Sequence, residues 1–156
     1  MAVRKEKIVS MFRNRNGTLF MPTKKEDNIR RLKEIGHLSD DWNGYGAGAF
    51  SSVLVDKCNS IINALDIQPD VYPTGRQSIQ MQYELADRSY LEFEIFEDKT
   101  LCLKVPQRIY ANAATIQITE NESERIRGIV EDFFGHGTGE RDSLQTDQAL
   151  TARYFG

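Results

Sequence analysis

Ser78-Ile79-Gln80-Met81-Gln82-Tyr83-Glu84-Leu85 alternates apolar and polar side chains for eight residues. In an extended chain successive side chains point to opposite faces, so this pattern reads as a strand with one buried face. Ala86-Asp87-Arg88-Ser89 turns the chain, and Leu91, Phe93 and Ile95 then alternate with Glu92 and Glu94. Glu97-Asp98-Lys99 supplies a second turn, after which Leu101, Leu103 and Val105 alternate with Cys102 and Lys104. The expectation is a three-stranded antiparallel meander, apolar on one face and polar on the other. Thr115-Ile116-Gln117-Ile118 adds a possible fourth strand. The predicted polar face carries Gln80, Gln82, Glu84, Glu92 and Glu94, with Phe96 as its aromatic member.

Helical spacing flanks the meander. Thr23-Lys24-Lys25-Glu26 matches a capping box, in which Thr and Glu satisfy each other's orphan backbone donors. Ile29, Leu32 and Ile35 follow at helical spacing, and Gly36 is expected to stop that helix. Ser51 or Ser52 caps a second helix with Val53, Leu54, Cys58, Ile61, Ile62 and Leu65 on its apolar face. Gln68 to Gln77 is rich in turn formers and reads as an extended connection. Thr119-Glu120-Asn121-Glu122 opens a last helix, with Ile126, Ile129, Val130 and Phe133 as its buried stripe, and Gly135 breaks it. The fold class is therefore α+β, an antiparallel meander of three to four strands with helices packed on one face.

Three regions are expected. Residues 1–22 form a basic N-terminal hairpin or arm, because Asn14-Arg15-Asn16-Gly17 is a turn signal between two short apolar runs. Residues 23–134 form one α+β domain. Residues 135–156, polar and aperiodic up to Ala149, read as a mobile or partner-ordered tail.

Composition narrows the functional classes. The chain has 156 residues, enough for a core without staples, and a net charge of −3. Residues 1–36 hold 10 Lys/Arg against 4 Asp/Glu, and the remainder holds 10 against 19. A basic head on an acidic body admits a nucleic-acid arm through Arg4, Lys5, Lys7, Arg13 and Arg15, or a head folded back on its own body. The two cysteines, Cys58 and Cys102, sit in apolar company and read as reduced, buried thiols. With two histidines, His37 and His136, and no Cys-x-x-Cys, no zinc site is expected. No apolar run reaches membrane-spanning length and no secretory signal is read at the N-terminus, so a cytoplasmic setting without membrane attachment is expected.

No nucleophile–base arrangement, Walker sequence or zincin motif is present, so no catalytic residue and no cofactor is assigned. Arg76, in Thr74-Gly75-Arg76, either grips an anion or pairs with one of the many carboxylates. The polar sheet face, with Arg76 beside it, offers a flat docking surface for a protein or ribonucleoprotein. The other singular stretch is Asp40-Asp41-Trp42-Asn43-Gly44-Tyr45-Gly46-Ala47-Gly48-Ala49-Phe50, which holds the only tryptophan. Trp42 reads as a plug at the end of the core, with glycines turning the chain around it. Trp42 and Tyr45 read alternatively as an aromatic anchor for a partner.

Trp42-Asn43-Gly44-Tyr45-Gly46-Ala47, Pro73-Thr74-Gly75-Arg76-Gln77-Ser78-Ile79-Gln80 and Tyr90-Leu91-Glu92-Phe93-Glu94-Ile95 together resemble a family of small uncharacterised bacterial and prophage-type proteins. These carry a W-[ND]-G-Y-G-A turn and a P-T-G-R-x-S-I-Q strand entry. The resemblance spans roughly residues 25–134 and departs at Gly48-Ala49, where a proline-bearing segment is expected. It implies a bacterial or phage setting and little chemistry. The resulting expectation is a non-enzymatic interaction protein, inhibitor-like or antitoxin-like, of which an anti-CRISPR or other anti-defence protein is one form. A nucleic-acid-binding accessory protein and a small metal- or nucleotide-dependent enzyme are the alternatives.

Overall fold

The computed structural model describes residues 12–13, 15–16 and 19–135. Phe12–Arg13 (β1) pairs antiparallel with Leu19–Phe20 (β2) as a short two-stranded ladder. Lys24–Gly36 (α1) and Ser52–Ala64 (α2) follow. Five strands come next: Asp70–Pro73 (β3), Ile79–Glu84 (β4), Tyr90–Ile95 (β5), Thr100–Val105 (β6) and Ala114–Ile118 (β7). Glu122–Gly135 (α3) closes the described chain. The sheet order is β3-β4-β5-β6-β7, every pair antiparallel, so the α+β meander is present with five strands rather than three or four. Among the described residues, no helix is long and apolar enough to cross a membrane.

The helix starts follow local chemistry. Thr23 Oγ1 accepts from the Glu26 amide at 3.1 Å while Glu26 Oε1 accepts from the Thr23 amide at 2.8 Å, the reciprocal bonds of a capping box. Ser51 caps α2 by accepting from the Leu54 amide. The buried faces differ from the expected ones by a small rotation. In α1 the buried residues are Asn28, Leu32 and Ile35, and Ile29 is exposed. Asn28 replaces it because its side-chain amide donates to the Pro69 carbonyl and to Gln68 Oε1, each at 3.0 Å. In α2, Val53 is exposed and Val55 is buried. Gly36 is the last helical residue rather than a left-handed stop, and the cap is His37, whose amide donates to the Glu34 carbonyl. The want of a side chain at Gly36 serves packing instead: a Cβ there would lie 3.4 Å from Val55 of α2.

Two strands depart from the sequence reading. The connection expected over Gln68–Gln77 contains β3, which pairs Val71 with Met81 and Pro73 with Ile79. Proline is tolerated there because β3 is an edge strand whose last amide is not needed by the ladder. In β6 the faces are inverted. Phe93 pairs with Cys102 and Ile95 with Thr100, so Cys102 and Thr100 look into the core while Leu101, Leu103 and Val105 share the other face with Glu94, Glu92 and Tyr90. A one-residue change of register flips every side chain of a strand. Thr100-Leu101-Cys102-Leu103-Lys104-Val105 has apolar residues at both parities, so its pairing, not its pattern, decides.

The three described helices all pack on one face of the sheet. Leu32 and Ile35 of α1, Leu54, Cys58, Ile61 and Ile62 of α2, and Ile126, Ile129, Val130 and Phe133 of α3 form one cluster with Ile79, Met81, Leu91, Phe93, Ile95 and Cys102. Phe93, on the central strand, is wholly buried; a side chain of this size contributes about 1.5–3 kcal/mol by leaving water.

Candidate functional site

Among the described residues, no helix lies over the opposite face of the sheet. Register places Tyr72, Gln80, Glu94, Leu101 and Gln117 in one row and Asp70, Gln82, Glu92, Leu103 and Thr115 in the next. Glu84, Tyr90 and Val105 form the third. The expected polar face thus exists over β4 and β5, where Gln80, Gln82, Glu84, Glu92 and Glu94 lie side by side. It is not polar throughout, because β6 adds its leucines.

Its polar groups are bound to one another. The Tyr90 hydroxyl lies 2.7 Å from Glu92 Oε1 and 3.0 Å from Gln82 Oε1, and Gln80 Nε2 donates to Gln82 Oε1 at 2.8 Å. Burial, then the hydrogen bond and charge of Glu92, push the Tyr90 phenol well above its usual range, so it stays a neutral donor. The Arg108 guanidinium lies 4.0 Å above the Tyr90 ring and 3.4 Å from Glu84, and donates to the Tyr110 hydroxyl at 3.2 Å. Arg108 is held there by a backbone kink in which both Gln107 and Arg108 have positive φ, 51° and 60°. Non-glycine residues in this region cost energy and persist only where the surroundings enforce them. The kink also presents Ile109 and Tyr110, both exposed.

Glu94 is a correction. Expected as an open member of the polar docking face, it is buried. Its Oε2 accepts from Arg76 Nε at 2.8 Å and from Ser78 Oγ at 2.5 Å, and Ser78 Oγ contacts Thr74 Oγ1. Arg76 therefore pairs with a carboxylate of its own sheet, which is the second of the two roles its sequence allowed. Phe96 is half-buried, with Lys99 Nζ 5.2 Å from its ring centroid.

The Asp40–Phe50 stretch lies beside the Thr74–Ser78 turn. Gln77 Nε2 donates to the Ala49 carbonyl at 2.9 Å, and a Cβ on Gly48 would sit 2.8 Å from the Gln77 side chain. The Trp42–Ala47 and Pro73–Gln80 stretches are thus close neighbours in space. Inside the stretch, side chains take the place of regular structure. Asp40 accepts from the Ala49 amide, Asp41 from the Gly46 amide, and Asn43 from the Tyr45 and Ala47 amides, at 2.7 to 3.2 Å. Positive φ at Asp41, Gly44 and Gly46 closes the loop. Trp42 is half-buried against the core, 5.9 Å from Phe50 between ring centroids, with its indole N–H donating to the Gly48 carbonyl. Tyr45, by contrast, is 92% exposed at the loop tip. Trp42 and Tyr45 therefore have separate positions: Trp42 holds the loop to the core, and Tyr45 is displayed.

The nucleic-acid contacts read from sequence fall largely outside the described residues. Arg4, Lys5 and Lys7 lie outside them. Arg13 belongs to β1, and Arg15 is exposed in the turn after it. The tail, apart from Gly135, also lies outside them, as does His136. His37 caps α1, its Nδ1 2.7 Å from the Lys33 carbonyl. Among the described residues no three His, Cys, Asp or Glu side chains gather as metal ligands. A cleft of about 340 Å³ between α1 and β3 is lined largely by charges, among them the ion pairs of Lys24 with Asp70 and Arg30 with Asp27.

Arg108, Tyr110, Leu101 and Tyr72 were not anticipated as part of this surface. Tyr72 was hidden by the missed strand and Leu101 by the inverted one. Arg108 has no local signal, since it meets Tyr90 only through the return of the chain. Comparison with protein families, characterised proteins and solved structures finds no match.

Proposed function

We propose that the chain is a non-enzymatic interaction module that docks another protein or a ribonucleoprotein through the outer face of its sheet. The observation that supports this is a preorganised face: Gln80, Gln82, Glu92, Tyr90 and Arg108 are locked by mutual bonds and flanked by exposed Leu101, Tyr72 and Tyr110. Side chains already held in place lose little freedom on binding, and aromatic and arginine side chains dominate interface energetics. Tyr45, exposed on the loop beside the Thr74–Ser78 turn, supplies a separate aromatic anchor. In a bacterial or phage cytoplasm such a module acts as an inhibitor or antitoxin-like partner, with blockade of a host defence complex as one concrete form.

The test is affinity capture from a bacterial lysate, with captured proteins identified by mass spectrometry. Three baits are compared: the intact chain, the double substitution Gln82→Arg with Leu101→Glu, and a deletion of residues 1–22. The reading expects a protein retained by the intact chain and by the deletion but lost by the face variant. A captured set that ignores the face variant overturns it. Loss on deletion of residues 1–22, together with salt-sensitive binding of DNA or RNA, would favour the basic N-terminal segment as the working part.

A further inference from the structure

The two edges of the five-stranded sheet are built differently. At β3, Pro73 removes one donor, Arg31 Nε donates to the Val71 carbonyl at 2.6 Å, and Lys24 pairs with Asp70. Charges, proline and a covering side chain are the usual means of closing an edge to further pairing. At β7, Ala114-Thr115-Ile116-Gln117-Ile118 contains no charge, proline or glycine. Among the described residues no strand pairs with its outer edge.

We propose that this edge pairs with the β7 edge of a second copy of the chain, joining the two sheets into one. A two-fold interface must be self-complementary. Antiparallel pairing centred on Ile116 sets Thr115 opposite the partner's Gln117, Ala114 opposite the partner's Ile118, and the two Ile116 residues against each other. Each residue meets one on the same face, as the pleat requires. Next to the edge on the outer face stand Leu101, opposite Gln117, and Leu103, opposite Thr115. The row across the two-fold therefore reads Leu101, Gln117, the partner's Thr115, the partner's Leu103, without a charge to repel its symmetry mate. Like charges facing each other across such a ladder would oppose pairing. The self-pairing uses the β7 edge and does not depend on what the outer face over β4 and β5 binds.

Light scattering with size exclusion on the full chain, over a concentration series, should give twice the chain mass. Thr115→Lys with Gln117→Lys changes only exposed side chains and should halve that mass, as should Thr115→Glu with Gln117→Glu. Mixing the lysine and glutamate variants should restore the dimer. Mixing Thr115→Cys with Gln117→Cys under mild oxidation should give a cross-linked dimer, since Cys58 and Cys102 are buried and do not compete. A wild-type chain that is monomeric at its highest soluble concentration overturns the proposal. So does a dimer that persists in both charged variants. The wild-type mass decides even where a variant fails to fold.

Discussion

Arg76 and Glu94 meet at a single oxygen: Arg76 Nε and Nη2 stand 2.8 and 2.7 Å from Glu94 Oε2, which also accepts from Ser78. The carboxylate is buried while the arginine side chain is largely exposed, so the two partners are unequal. Glu94→Leu should destabilise by about 2 kcal/mol, because Arg76 and Ser78 lose their acceptor. Arg76→Ala should cost less, about 1 kcal/mol, since water screens its side of the pair. Urea denaturation of the two variants measures the order, and an equal or reversed order contradicts the asymmetry.

Trp42 and Tyr45 should separate stability from binding. Trp42→Ala removes the contact with Phe50 and the bond to the Gly48 carbonyl, and should cost about 3 kcal/mol. Tyr45→Ala removes a side chain that is 92% exposed and should leave stability within about 0.5 kcal/mol. The same Tyr45 variant should bind a captured partner more weakly. A stable Trp42→Ala protein would make the tryptophan something other than a plug.

The glycines of the same loop predict a contrast of cause. Gly46 has φ +86° with nothing within 4 Å of an added Cβ, so Gly46→Ala is penalised by backbone strain alone, about 1–2 kcal/mol. Gly48→Ala meets Gln77 instead and should displace it from the Ala49 carbonyl, at about 1 kcal/mol. The further change Gln77→Ala, made in each background, distinguishes them: it should relieve the clash in the Gly48 variant and leave the cost at Gly46 unchanged.

Alkaline conditions should weaken the fold. Burial pushes the thiols of Cys58 and Cys102 up to about 12 and raises the phenols of Tyr83 and Tyr90. Each group is harder to ionise folded than unfolded. Its stabilising contribution is complete below the unfolded pKa, 9.0 for the thiols, and is lost as pH rises toward the folded value. Each thiol should subtract up to about 1.4 kcal/mol per pH unit in that window. The melting temperature should fall between pH 9 and 11, and Cys58→Ala should shallow the slope while lowering stability at neutral pH. Neither thiol should react with an alkylating reagent in the native protein at pH 8.

The parts of the fold legible in sequence were those with a local cause. The Thr23–Glu26 box, the Ser51 cap and the alternation of Ile79, Met81 and Tyr83 each depend on neighbours within a few residues. Pro73 obscured β3, since proline weakens a strand signal without forbidding an edge. Cys102 lies between two leucines, so β6 could not declare its inward face until Phe93 chose it. Asn28 faces the core for the sake of a carbonyl at Pro69, which no helical period encodes. The candidate site was legible in part for the same reason. Gln80, Gln82 and Glu92 follow from alternation, while the placement of Arg108 over Tyr90 and the burial of Glu94 depend on contacts between distant segments.

The Asp40–Ala49 loop contains most of the acceptors its turns require, in Asp40, Asp41 and Asn43. At its tip only the backbone amide of Tyr45 is used to hold the shape; the phenol takes no part. The loop thus behaves as a socket: a rigid mount, built by three polar side chains, holds one phenol out in solvent. What the tip presents and what keeps the mount in shape are separate side chains.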